Sequence, residues 1–77
     1  MDFYQTLNDQ LKDEYEGVIT YANLSKQATD GSSHILKDMA REEYVHSKHL
    51  KNILQECGRL QNFADLEKQA EEALNNI

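Results

Sequence analysis

Residues 36–57 read LKDMAREEYVHSKHLKNILQEC, and this stretch decides the fold. Taken in steps of three and four, it gives Leu36, Met39, Glu43, His46, Leu50, Ile53 and Cys57. An unbroken 3–4 repeat is the pattern of a helix that packs along a seam in a bundle. Upstream, the same steps give Tyr4, Leu7, Leu11, Glu14, Val18, Tyr21, Ser25 and Ala28. Downstream, Phe63, Leu66, Ala70, Ala73 or Leu74, and Ile77 form a shorter stripe of the same kind. The spacing predicts three helices, at about residues 3–29, 33–57 and 63–76.

The punctuation agrees. Asp2 with Gln5 three residues on resembles a capping box at the first helix. Asp30-Gly31-Ser32-Ser33 is a turn and N-cap cluster. Cys57-Gly58 reads as a helix end with glycine just past it, and Asn62 as an N-cap before Phe63. The sequence has no proline and only three glycines, which suits an all-α chain. The reading is a two-helix antiparallel hairpin plus a short third helix, forming one domain over residues 1–77. Below about 80 residues one core rarely supplies more than ~3–5 kcal/mol, so oligomerisation, a metal or both are expected.

Composition removes several functions. Eight basic against 14 acidic residues leave a net charge of −6, which opposes nucleic-acid binding. No uncharged run approaches the ~20 apolar residues of a membrane span, and Met1-Asp2-Phe3 does not open a signal peptide. One cysteine, Cys57, rules out an internal disulfide and a CxxC metal knuckle. These features fit a reducing cytoplasm.

Three residues break the apolar seams: Glu14, Glu43 and His46. Carboxylates there cost several kcal/mol each unless compensated. Glu43 and His46 are three apart, so they share a helix face. Counted back from the turn near Gly31, Glu14 falls within about one helical turn, ~5 Å, of their height. Two carboxylates and an imidazole can therefore face one interior point. A two-fold dimer of hairpins makes a four-helix bundle and doubles the set to four Glu and two His. Two divalent ions balance the four carboxylate charges. Oxygen and imidazole donors suit iron or manganese, with zinc also compatible.

Glu14 with Tyr21 seven residues later, then Glu43-Tyr44-Val45-His46, resembles the metal-binding pattern of rubrerythrins and the wider ferritin-like di-iron proteins. The resemblance covers about residues 4–57, one hairpin where full-length members carry two. It is similar to the half-bundles of encapsulated ferritins, in which a hairpin and a short third helix dimerise around the metals. The resemblance implies a di-iron site, two ions per dimer, from Glu14, Glu43 and His46 of two chains. It implies that Tyr21 donates a hydrogen bond to a ligand carboxylate. The chemistry implied is ferroxidase or peroxidase, in a homodimer or higher even oligomer, with an electron donor that the residues do not identify. The sequence has no rubredoxin-type CxxC pair, and Leu74-Asn75-Asn76-Ile77 does not resemble a shell-targeting peptide.

Other readings stand beside this one. The three polar residues could instead be a buried network that fixes bundle register. The chain would then be a non-catalytic oligomerisation or interaction module, its third helix docking on a partner or capping its own bundle. A structural or storage metal site without turnover is a further alternative. Glu16, Glu42 and His49 are substitute ligands, though each reads first as a solvated flank; His34 reads as a surface residue. Cys57 is expected to be a small buried residue. Met39 and Leu50 bracket the site. Gly17, inside the first helix, costs about 1 kcal/mol relative to alanine. It marks either a close approach beside Glu14 or a tolerated weak spot.

Overall fold

The computed structural model describes residues 2–77. It contains three helices, α1 (Phe3–Gln27), α2 (Ser32–Glu56) and α3 (Ala64–Asn75), and no strand among the described residues. Each long helix has 25 residues, or about 37 Å at 1.5 Å per residue. They run antiparallel. Ser25 meets Ser33, Gly17 meets Glu43 and Glu14 meets His46, so one number falls as the other rises. Among the described residues, no helix is long and apolar enough to cross a membrane.

The helix ends follow from local chemistry. The Asp2 carboxylate accepts the Tyr4 N–H at 2.9 Å, as an N-cap should. Gln5 does not complete the expected capping box. Its amide donates to Asp9, and its carbonyl accepts from Gln61. Asp30 accepts the Ser32 N–H and hydroxyl, which hold its carboxyl below the ordinary range. Gly58 has φ of +66°, Arg59 N–H donates to Leu54 C=O and Gly58 N–H to Gln55 C=O. This is a Schellman end, and it needs a residue that tolerates the left-handed region. Helix α3 starts one residue later than expected, with Asn62 accepting the Ala64 N–H.

Leu11, Tyr15, Val18, Leu54 and Ala70 form the core. Leu60, Phe63, Leu66 and Leu74 pack against it, so the third helix caps its own hairpin. The buried stripe of α2 is Ala40, Ser47 and Leu54. That is one residue round from the expected seam of Met39, His46 and Ile53. This row faces α1, against which α2 makes nearly all its packing, while α3 docks mainly on α1. Cys57, expected to be buried, is exposed at the end of α2.

Buried polar groups tie α3 and its linker to α1. The Asn8 side chain donates to the carbonyls of Tyr4 and Arg59 and accepts the Gln61 N–H, at 2.9–3.0 Å. Three of its four hydrogen-bonding positions are thus filled. The Tyr15 hydroxyl donates to Glu67 at 3.1 Å, and Lys51 Nζ reaches both Glu67 oxygens at 3.0 and 2.8 Å. Burial first, then the Glu67 charge and hydrogen bond, push the Tyr15 phenol up strongly. Tyr44 donates to Glu71 at 3.1 Å, and burial followed by that bond raises it too.

Successive residues of a helix point about 100° apart. Glu14 and Tyr15, and likewise Glu43 and Tyr44, are therefore divided between two flanks. Tyr15 and Tyr44 face α3; Glu14 and Glu43 lie on the opposite, open flank.

Candidate metal centre

The open flank is built by spacing. Gln10, Glu14, Gly17, Tyr21 and Leu24 follow one another on α1 at intervals of three and four. On α2 the corresponding row is Ile35, Met39, Glu43, His46, Leu50 and Ile53. At mid-height Glu14, Glu43 and His46 each offer a donor atom, and these atoms all lie within 4.8 Å of one another. His46 Nδ1 stands 3.6 Å from Glu14 Oε2. Donors on opposite sides of one ion, with bonds near 2.1 Å, stand about 4.2 Å apart. The longest separation therefore has to shorten by at least about half an ångström for the donors to reach one ion.

The surroundings of the two carboxylates differ. The Glu14 side chain is 12% exposed, His46 58%. Gln10 donates to Glu14 Oε1 at 3.2 Å. Glu14 Oε2 is buried and has no hydrogen-bond partner among the described residues. Two ionised carboxylates offer no donor to each other, so a proton on one of them or a cation between them would satisfy that oxygen. A proton on Glu43 is one solution. The hydrogen bond it makes with Glu14, then burial, then the Glu14 charge, push the Glu43 carboxyl from its ordinary 4.5 up to about 7. His46 pulls the other way. A divalent ion is the second solution, and it meets the chemistry of an O, O, N donor set.

Gly17 resolves the choice left open by the sequence. A Cβ built there would stand 3.1 Å from Glu43 Oε2 and 3.2 Å from its Cδ. The glycine marks a close approach, and the approaching group is a candidate ligand.

The substitute ligands do not join the cluster. Glu16, Glu42 and His49 are exposed, and so is His34, which stands 3.9 Å from Asp38. Tyr21 is half-buried on the open flank, and its hydroxyl makes no hydrogen bond among the described residues. Met39 and Leu50 are half-buried along the same row as Glu43 and His46. Sequence reasoning missed Gln10, which stands four residues before Glu14 and so shares its face. That spacing was the available signal.

Apolar side chains flank the cluster on the same open face. Leu24 is 40% exposed, Ile35 61% and Ile53 43%. Ile53 lies two turns beyond His46, and Leu24 two turns beyond Gly17.

Comparison with curated proteins and with solved structures returned no match. The family model described as Rubrerythrin matches residues 3–76, nearly the whole chain. With three helices, and two carboxylates and an imidazole drawn together across the hairpin, the chain belongs to the rubrerythrin family.

Proposed function

We propose that two copies of the chain pack through their open flanks into a four-helix bundle. Glu14, Glu43 and His46 of each copy then hold a pair of metal ions, iron first and manganese or zinc as alternatives. The observation that carries this reading is the buried Glu14 Oε2, a carboxylate oxygen with no partner inside a converging O, O, N cluster. The exposed Leu24, Ile35 and Ile53 support it, because they rim that cluster with apolar surface. A second copy would cover both at once, and four carboxylates would balance two divalent ions.

Two bound iron ions would supply one-electron redox chemistry toward dioxygen or peroxide, which makes ferroxidase or peroxidase the proposed activity. The chain's own part is to present ionised carboxylates and a neutral imidazole and to keep water from the site. In the assembled bundle Tyr21 is proposed to donate its hydroxyl to a ligand carboxylate of either copy. An electron donor completes the cycle and is not identified by the chain.

Solution mass and metal content, measured on protein purified without chelator, test the proposal. A dimer or an even multiple with about one iron per chain is the expected result. A metal-free monomer that also refuses added Fe(II) would overturn it. Glu43→Ala is expected to lose the iron, and a variant that binds like wild type would remove Glu43 from the ligand set. Stopped-flow mixing of the Fe(II)-loaded protein with oxygen separates an oxidase from a storage or structural site. Iron that binds but oxidises no faster than free Fe(II) would sink the catalytic part alone.

A further inference from the structure

The three glycines have different surroundings. Gly58 is required by its φ of +66°, and a Cβ at Gly31 would meet nothing within 4 Å. Gly17 has helical backbone and lies in the middle of α1, where glycine is a poor choice. The three atoms nearest a Cβ there would all belong to Glu43, at 3.1 Å for Oε2, 3.2 Å for Cδ and 3.4 Å for Cγ. Contacts under 3.4 Å are tighter than a carbon normally makes, so either the methyl or the carboxylate must give way. The Glu43 carboxylate thus occupies the space a side chain at 17 would need, one turn from Glu14 on the same face.

We infer that Gly17 is a positioning residue for the metal centre: its missing side chain is the seat that holds the Glu43 carboxylate in line with Glu14 and His46. This rests on the metal-site reading above. With a Cβ at 17, the Glu43 carboxylate has to yield by a few tenths of an ångström away from α1. It lies in the half-buried zone beside open solvent, so it has room to do so. Residue 17 lies on the open flank and is not one of the core residues, so the ligand is displaced without removing a core side chain. The glycine therefore weakens the helix and preorganises the site, which are separable effects.

Co²⁺ titration followed by visible absorbance, together with thermal unfolding of the metal-free protein, tests this on four variants: Gly17→Ala, Glu43→Ala, Glu43→Asp and the Gly17→Ala/Glu43→Asp double. Gly17→Ala is expected to weaken Co²⁺ binding by about ten- to a hundredfold, the usual range when a ligand's support is removed. Its metal-free unfolding midpoint should equal or exceed that of wild type, since alanine favours helix. Aspartate is one methylene shorter and clears the added methyl, so Gly17→Ala should cost much less in the Glu43→Asp background. Equal penalties in both backgrounds would overturn the inference. So would a Gly17→Ala protein that binds like wild type while Glu43→Ala does not. A lowered metal-free midpoint would do the same, by placing the clash in helix packing. If Glu43→Ala itself binds Co²⁺ normally, the metal-site reading fails, a result distinct from all of these.

Discussion

The two flanks of the hairpin use the same residue types to opposite ends. On the flank covered by α3, each carboxylate has its donors: Glu67 receives Lys51 and the Tyr15 hydroxyl, and Glu71 receives the Tyr44 hydroxyl. On the open flank, Glu14 and Glu43 face each other; Glu14 takes one amide from Gln10 and, among the described residues, keeps one oxygen without a hydrogen-bond partner. The covered flank is a finished structural network. The open flank is short of positive charge. The difference lies in hydrogen-bond completeness rather than in composition, and it separates a carboxylate that holds a helix from one that awaits a cation.

The largest expected effect follows from that shortage. Saturating Fe(II) under anaerobic conditions, at about a thousand times its dissociation constant, should stabilise the fold by about 4 kcal/mol per site. A chelator should reverse the gain. Glu14→Gln should abolish it, and yet leave the metal-free protein as stable as wild type or more so, because an unpaired carboxylate has gone. Thermal unfolding with and without metal reads both. Glu67→Ala should do the reverse. It strands the Tyr15 hydroxyl and part of the Lys51 charge, at about 1–3 kcal/mol. For a domain of this size each kcal/mol lowers the midpoint by about 4–8 °C. Metal binding should survive it. If both variants destabilise the metal-free protein alike, the contrast between the flanks is wrong.

How much of this was legible depends on where the information sits. The helix ends and the 3–4 repeats are local, so the three helices could be read within two residues of their observed bounds. Glu14, Glu43 and His46 could be brought together by counting from one turn, because the short connection between Gln27 and Ser32 fixes the antiparallel register of the two helices. What failed was phase. Met39, His46 and Ile53 were expected at the buried centre of the seam, and the centre is Ala40, Ser47 and Leu54. The two rows are adjacent on a helix wheel, and the packing of α2 against α1 chooses between them. Asn8 shows the same limit. Its partners are the Arg59 carbonyl and the Gln61 N–H, 51 and 53 residues away, and backbone groups leave no mark in a sequence. Cys57 fell off the seam because the helix ends at Glu56.

A smaller effect comes from the proton that substitutes for the cation. Glu43 is raised to about 7 in the folded chain from an ordinary 4.5. A carboxyl with a raised folded pKa gives its full stabilisation below about pH 4.5 and loses it as the pH climbs through about 7. The metal-free protein should therefore lose stability over that window, and Glu43→Gln, which cannot ionise, should not. Denaturant unfolding at pH 5 and pH 8 measures this. The variant should gain on wild type at pH 8 and show no such gain at pH 5. A gain that is equal at both values would place the strain somewhere other than the Glu14–Glu43 pair. Bound metal should remove the difference for wild type, since it replaces the proton.

The smallest effect belongs to Gln10. Its bond to Glu14 Oε1 is 3.2 Å long and exposed, so water competes for both ends. An exposed hydrogen bond sits at the low end of the ~0.5–1.5 kcal/mol range, which is about a two- to threefold change in an equilibrium constant. Gln10→Ala should therefore weaken Co²⁺ or Fe(II) binding two- to threefold and leave metal-free stability within about 0.5 kcal/mol. The change should appear in affinity alone, because the amide acts only by occupying one oxygen and leaving the other turned toward His46. A loss as large as that of Glu14→Gln would show that Gln10 determines the Glu14 rotamer outright. The open flank would then owe its geometry to α1 on both sides of the ligand, to Gln10 before it and to Gly17 after it.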